Sequence, residues 1–598
     1  MFRRNFLFGV DSATANVIGV TAEDLYQPGK GYGFVIELNR RHQELLKFPE
    51  LNSGFDTMYW YQDKNLTYIQ NDVNGCFVDS NAIVDALAED EGAHYPGEHR
   101  RIPLSFKMDV PRQGNFLATI TIRPEETMED VLIFTGRRRL AYKGTIEAGR
   151  EFSFVTVINV CDIVPRGQER IYSDTTIDIT IVADKPRLTG VSVVETKCPT
   201  IYIAGDSTVT DQSAEYPYAP GTSYSGWGQM LTAYLNKDVA VSNHAHSGLT
   251  TESFRKEGHY AIIDQYSKHR DYYFIQFGHN DQKLEELKAR GGYRINMLGY
   301  INECRSRGAY PVLVTPLARN SWKGDGTYND LLIEYAEAVK EIGKVTETPV
   351  LDLHGLSKDF IVTNGLEASK AFLFPNDFTH SNDFGAYKMA GFIAQEIKRV
   401  CGQHSSPSYR FLAKCVTEGF GEWVNEEEIV LPTKPEKYEG ITNPNAGALL
   451  LSEIEELDTN ADRAAVLDML IKTARFFPTN VYNDMFEDIV GHEWYAGTIE
   501  VAYQNGMILP EMVEDSKFFP TKEVTVEELI VFALNGYSSR KTLPEQEPCA
   551  YDDRCADYAR KYVRAACSLG LLAKDGSEDL TRLVTRGQVV ELCRAMKI

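Results

Sequence analysis

The rhythm of apolar and polar positions changes twice along the chain. Over residues 1–195 helical periodicity is scarce, and short β-rich runs recur at 33–38, 115–122, 130–134, 151–158 and 176–182, parted by Gly, Pro, Asp and Asn clusters. Such runs with turn residues between them predict an antiparallel β-sandwich. Over 196–405 the runs become continuously apolar and alternate with helical stretches. Strands are expected at 200–204, 239–242, 272–277, 311–315 and 349–353, and helices near 226–236, 252–266, 293–307, 327–343 and 384–400. Apolar strands joined by helices predict an α/β/α domain with a parallel sheet, whose ligands bind at the carboxyl ends of the strands. Over 406–598 a proline-spaced polar linker at 432–444 leads into helical sequence. That sequence echoes itself at a period of about 60 residues, as stacked repeats do. Three domains follow, at 1–195, 196–405 and 406–598.

Composition narrows the functional classes. A chain of 598 residues exceeds one core. Its net charge of −23 argues against a nucleic-acid ligand, which needs a basic surface. No apolar run approaches the roughly 18 residues of a membrane span. The first eight residues carry the charge of a leader, but their apolar stretch is too short and no small-residue cleavage site follows. Ten scattered cysteines without a CxxC pair read as reduced core thiols. Both features point to the cytoplasm. A leader removed beforehand would instead place the protein at the cell surface or outside.

Candidate chemistry concentrates in the middle domain. The strand at 200–204 runs into Gly205-Asp206-Ser207-Thr208, a tight turn expected to present Ser207 at the opening of a helix. A serine hydroxyl is a poor nucleophile near neutrality and needs a base within hydrogen-bond reach. Asp377 and His380, three residues apart, suit the base and the carboxylate that orients it. The oxyanion of a tetrahedral intermediate needs donors, for which the Ser207 amide, Gly248 and Asn280 are placed after strands of the same sheet. Trp227 and Arg319 are candidates for substrate binding, Trp227 also for packing beneath the site and Arg319 for pairing with a local acid. Tyr59, Trp60 and Tyr61 could stack on sugar rings. His244 and His246 lack further ligands at metal-binding spacing, so no metal or other cofactor is expected.

These blocks resemble the SGNH (GDSL-like) hydrolase family: Gly-Asp-Ser-Thr at 205–208, Gly248, Gly-x-Asn-Asp at 278–281 and Asp-x-x-His at 377–380. At Gly248 the chain departs from the family, with His246-Ser247-Gly248 in place of a glycine-rich block. Gly226-Trp227-Gly228, residues 314–319 and residues 379–387 look like the rhamnogalacturonan acetylesterase branch. The resemblance implies a carbohydrate O-acetyl esterase acting on an acetylated glycan, pectin rhamnogalacturonan before xylan or mannan. Residues 26–34 resemble the start of galactose-binding-like jelly rolls. Phe-Glu-Asp-Ile at 486–489, Asn-Gly-Met-Ile at 505–508 and residues 518–528 resemble S-layer homology repeats, which attach to cell-wall polymer. The arginine that resemblance would use for polymer is Arg586, with Arg463 a second candidate and Val526 replacing it in the middle copy. Wall attachment and a structural or homo-oligomeric role both stay open. So do a lipase or thioesterase on the same fold, and a non-catalytic surface adhesin.

Overall fold

The computed structural model describes residues 2–11, 14, 16–27, 29–35, 69–82, 100–164, 171–212, 214, 218–323, 327–374, 377–418, 423, 457–474, 485–489, 493–538, 542–544 and 547–596. Tyr59, Trp60, Tyr61 and the linker at 432–444 lie outside them. The chain divides into two compact units, residues 1–320 with 332–437 and residues 321–331 with 438–598.

Strand Gly114–Ile122 shows why the first region folds as layers. Its alternation sends Phe116, Ala118, Ile120 and Ile122 to one face, all buried. Among the described residues it belongs to a five-stranded sheet in the order Phe152–Val160, Gly114–Ile122, Gly190–Thr196, Arg3–Phe8, Ile18–Val20. A second sheet runs Tyr32–Phe34, Leu104–Asp109, Thr176–Val182, Met128–Thr135, Arg139–Ile146. Phe6, Phe8, Phe106, Ile120, Ile179 and Val191 close one apolar core between the two. Strand Arg3–Phe8 pairs with Gly190–Thr196 and contributes Phe6 and Phe8 to the core.

The middle region carries a parallel sheet in the order Ala240–Asn243, Thr200–Gly205, Tyr272–Gln276, Tyr310–Val314, Val350–Leu351. One face packs on Trp227, Met230, Ala390 and Ile393, the other on Phe254, Met297, Tyr300 and Val339. Several expected elements differ. No helix opens at Ser207, where the β-branched Thr208-Val209-Thr210 run stays in a turn. The stretch at 252–266 is two helices, Ser253–Lys256 and His259–Tyr266, parted by Gly258 at φ 91°. Leu353–Ser369 is a helix that the pattern did not announce, its first turn capped by Asp352.

The two compact units do not divide at either edge of the expected middle domain. Leu132, Phe134, Leu140 and Val182 of the sandwich share a core with Tyr218, Trp227 and Leu231, so the chain passes residue 195 without leaving one unit. Helix Pro407–Cys415 also belongs here, beyond the expected limit at 405. Tyr409 donates to Pro311 O at 2.7 Å, Tyr272 donates to Ser408 O at 2.6 Å, and Leu412 is fully buried.

In the second unit three equivalent turns exchange backbone hydrogen bonds in a cycle. Ala461 N–H donates to Val584 O (2.9 Å), Val584 N–H to Val524 O (3.0 Å) and Val524 N–H to Ala461 O (3.0 Å). Arg463 N–H to Lys522 O, Val526 N–H to Arg582 O and Arg586 N–H to Thr459 O return the bonds in the opposite sense and complete three antiparallel bridges. Arg463, Val526 and Arg586 thus start equivalent helices, Arg463–Thr473, Val526–Ser538 and Arg586–Met596. Arg463 is buried and spends its guanidinium on Glu528 and the carbonyls of Met512 and Phe518.

Leu412→Ala removes buried methyl groups from a helix that the first unit depends on. It should cost about 2–5 kcal/mol and lower the midpoint of a thermal melt followed by circular dichroism. An unchanged midpoint would mean that helix Pro407–Cys415 does not contribute to that core.

Candidate active site

Gly205 ends its strand where no side chain fits. A Cβ there would stand 2.8 Å from Val209 Cγ2 and 2.9 Å from Gln276 O. The chain then reverses: Val209 N–H donates to Asp206 O, and Asp206 Oδ1 accepts from Thr208 N–H (3.0 Å) and Thr208 Oγ1 (2.8 Å). Asp206 is fully buried, so this Asx-type turn is held from inside and leaves Ser207 half-buried at the sheet edge.

Ser207 Oγ lies 2.8 Å from His380 Nε2, and His380 Nδ1 lies 2.8 Å from Asp377 Oδ2. The second oxygen, Asp377 Oδ1, accepts from the backbone N–H groups of Thr379 (2.8 Å) and His380 (2.9 Å). One carboxylate therefore holds both the ring and the peptide of the same histidine. Burial pushes the Asp377 carboxyl up. The His380 charge and the hydrogen bonds from His380 and Thr379 outweigh burial and bring it below the ordinary carboxylate range. An ionised Asp377 only accepts, so in the neutral imidazole the proton belongs on Nδ1 and leaves Nε2 free to accept from the serine hydroxyl.

Tyr224 was not legible as part of this site. Its ring stacks on Phe374 at 3.6 Å and meets the His380 ring edge-on at 5.8 Å, and its hydroxyl reaches Asp377 Oδ2 at 3.5 Å. The Tyr224–Ser225 segment pairs with the residues after His380: Ser225 N–H donates to Ser381 O, and Ser381 Oγ donates to Ser225 O.

The expected oxyanion donors sit on neighbouring loops. Asn280 Nδ2 donates one hydrogen to Leu249 O (3.0 Å), and its Oδ1 accepts from Lys283 Nζ (3.1 Å). These bonds fix the amide and leave one Nδ2 hydrogen to give. Gly248 is exposed at φ 84°, with nothing within 4 Å of where a Cβ would stand. Asp281, last of the Gly-x-Asn-Asp block, anchors that loop by accepting from Thr251 N–H (2.9 Å) and Thr251 Oγ1 (2.6 Å). Burial raises the Asp281 carboxyl to about 6 despite the Thr251 bonds.

The two substrate-binding candidates are both buried. Trp227 is fully buried and donates to Gln276 Oε1 at 2.7 Å, so it packs beneath the site and presents no face to a sugar. Arg319 is buried, with Nη2 donating to His279 O at 3.3 Å. His244 donates to or accepts from Ser242 Oγ (2.8 Å), and burial drives both His244 and His279 well below the usual histidine range. Among the described residues no three His, Cys, Asp or Glu side chains cluster as a metal site.

Residues 203–386 match the GDSL-like Lipase/Acylhydrolase family. The chain is 34% identical over 214 residues to rhamnogalacturonan acetylesterase RhgT of Bacillus subtilis (strain 168), spanning 33% of this chain and 90% of that protein. It is 31% identical over 208 residues to the probable rhamnogalacturonan acetylesterase YesY of the same organism, spanning 33% of this chain and 93% of the relative. The crystal structure of YxiM from Bacillus subtilis aligns with 67% of this chain and 98% of its own, at 21% identity and a TM-score of 0.34. The family match and the near-complete coverage of RhgT place the chain, through its middle region, in the GDSL-like lipase/acylhydrolase family, as a serine carboxylic-ester hydrolase.

Proposed function

We propose that the enzyme removes O-acetyl groups from a plant cell-wall glycan, with acetylated rhamnogalacturonan as the favoured substrate. The hydrogen-bonded chain Ser207–His380–Asp377, at 2.8 Å for each link, is the observation that carries the reaction class. The acetyl group and the glycan rest on the likeness to RhgT and YesY.

Ser207 Oγ attacks the acetyl carbonyl carbon while His380 Nε2 takes the hydroxyl proton. Asp377 stabilises the imidazolium and keeps its orientation. The carbonyl oxygen becomes an oxyanion held by the Ser207 and Gly248 amides and Asn280 Nδ2. Collapse breaks the bond to the sugar oxygen, which leaves with the proton from His380, and Ser207 is left acetylated. Water then attacks the acetyl-serine with His380 as base. The ester bond to Ser207 breaks, acetate departs and the serine regains its proton.

Acetate released from acetylated rhamnogalacturonan, xylan and mannan tests the substrate. Rhamnogalacturonan should give the highest kcat/KM, and a preference for long-chain acyl esters over all three would replace the reading with a lipase. Ser207→Ala should lower kcat by on the order of 10⁴-fold or more, and His380→Ala should be similarly severe without adding to it. Turnover of an aryl acetate within tenfold of wild type in either variant would reject the pair.

Asn280→Ala should cost roughly 10²–10³ in kcat with little change in KM, because the charge it meets develops only in the transition state. A raised KM with kcat intact would reassign Asn280 to substrate binding.

A further inference from the structure

Three consecutive arginines follow strand Met128–Thr135 of the sandwich: Arg137 and Arg138 lie in the turn and Arg139 opens strand Arg139–Ile146. The middle one enters the hydrolase. Its side chain is fully buried, and all five N–H donors of its guanidinium are spent there. Nη1 donates to Asp383 Oδ1 (3.0 Å) and Oδ2 (2.7 Å). Nη2 donates to the carbonyl of Tyr224 and to Gln229 Oε1 (3.2 Å), and Nε donates to Gln212 O (3.0 Å).

The acceptors lie on separate segments of the active site. Asp383 opens helix Asp383–Glu396, three residues after His380, and also accepts from the Tyr218 hydroxyl. Tyr224 is the residue whose ring and hydroxyl meet His380 and Asp377. Gln212 reaches the other partner: its Nε2 approaches Ser207 O and Ser247 Oγ, each at 3.4 Å. A single planar cation thus connects the turn that holds the nucleophile to the loop that holds the base. A lysine could not replace it, since an ammonium has three donors and no fork.

The backbone points the same way. Arg138 sits at φ 55°, a left-handed conformation uncommon for a residue with a side chain. Backbone held there against its preference persists where the surroundings over-determine it, and gathers at functional sites. Arg139 reinforces the insertion, donating to Asp211 Oδ2 (3.0 Å) and Val241 O (2.9 Å).

We propose that Arg138, contributed by the sandwich, is a positioning residue that sets the Ser207–His380 separation by bracing Gln212, Tyr224 and Asp383 against one another. This inference rests on the esterase reading of Ser207 and His380. Without the guanidinium, Asp383 keeps a buried carboxylate with no cation opposite it, the Tyr224 carbonyl loses the Arg138 donor, and Gln212 O is left with Gln229 Nε2. The segments then settle independently. A misplacement on the order of 1 Å between reacting groups can cost about 10²-fold in rate.

The test measures aryl-acetate turnover per active serine, with active serines counted by stoichiometric labelling with an aryl phosphonate in the full-length chain. Arg138→Ala should lower kcat per labelled serine by about 10–100-fold with KM within about threefold. Millimolar guanidinium should restore part of the loss, and an equal concentration of sodium chloride should not. Arg138→Lys, which keeps the charge but not the fork, should show a smaller loss in the same direction, and it decides the matter if the alanine variant does not fold. Wild-type kcat per labelled serine in the folded variant, with only the number of labelled sites reduced, would overturn the proposal and leave Arg138 as domain glue. Failure of the phosphonate to label Ser207 in the wild type would instead reject the nucleophile itself, and the positioning role with it.

Discussion

Asp377 is the constraint on which the site depends. A carboxylate that bonds only to an imidazole leaves the ring free to swing with its loop. Here the second oxygen is bound to the amides of residues 379 and 380, so the loop closes on itself before His380 meets Ser207. The tautomer follows from the same bond, because an ionised acceptor facing Nδ1 leaves Nε2 without its proton. Burial alone would favour a neutral carboxyl, which could not do this. The opposing interactions with His380 and the Thr379 amide keep it charged.

The parallel sheet supplies the other half of the geometry. Strand Thr200–Gly205 is flanked by Ala240–Asn243 and Tyr272–Gln276, all running the same way. The loops that leave their carboxyl ends carry Ser207, Gly248 and Asn280, so convergence is a property of the topology. The fine placement comes from buried polar groups beneath the loops. Asp206 holds the Ser207 turn, Asp281 holds the Gly248 loop through Thr251, and Gln276 ties Trp227 and Thr208 together. Each is a carboxyl or amide withdrawn from water, where polar groups specify geometry and cost most if left unpaired; Asp206 and Asp281 each bond through Oδ1 and carry the cost of an unpartnered Oδ2.

What could be read from the sequence follows the range of the interactions. Ser207 was legible because a strand, a glycine and a turn are adjacent in the chain. Asp377 and His380 were legible because three residues separate them. Tyr224 and Arg138 were not: Tyr224 lies 153 residues from Asp377, and Arg138 lies 245 residues from Asp383. Nothing in local periodicity records such a pairing. Trp227 was left between packing and sugar binding for a related reason, since its partner Gln276 is 49 residues away and decides that the indole points inward. Helix Leu353–Ser369 escaped the pattern because Gly355 and Asn364-Gly365 interrupt it, with Gly365 non-helical at φ 76°. Helix Pro407–Cys415 was assigned to the following region because it precedes a linker, whereas its apolar face fits the hydrolase core.

The sandwich changes its meaning once its arginines are followed. A binding module joined by a linker can be exchanged without altering the chemistry beside it. A module that pushes a guanidinium with no exposed surface into the neighbouring active site cannot. The family match covers residues 203–386, so Arg138, which bonds Gln212 and Asp383, lies outside the matched residues. Paired with Arg138, Asp383 is a buried ion pair whose two halves come from different layers of one unit. Such pairs add little net stability over apolar packing, and losing one partner is expensive. Their natural use is to make a single relative arrangement cheaper than its alternatives. In this chain the arrangement so selected is that of a sandwich hairpin against the two loops that carry Ser207 and His380.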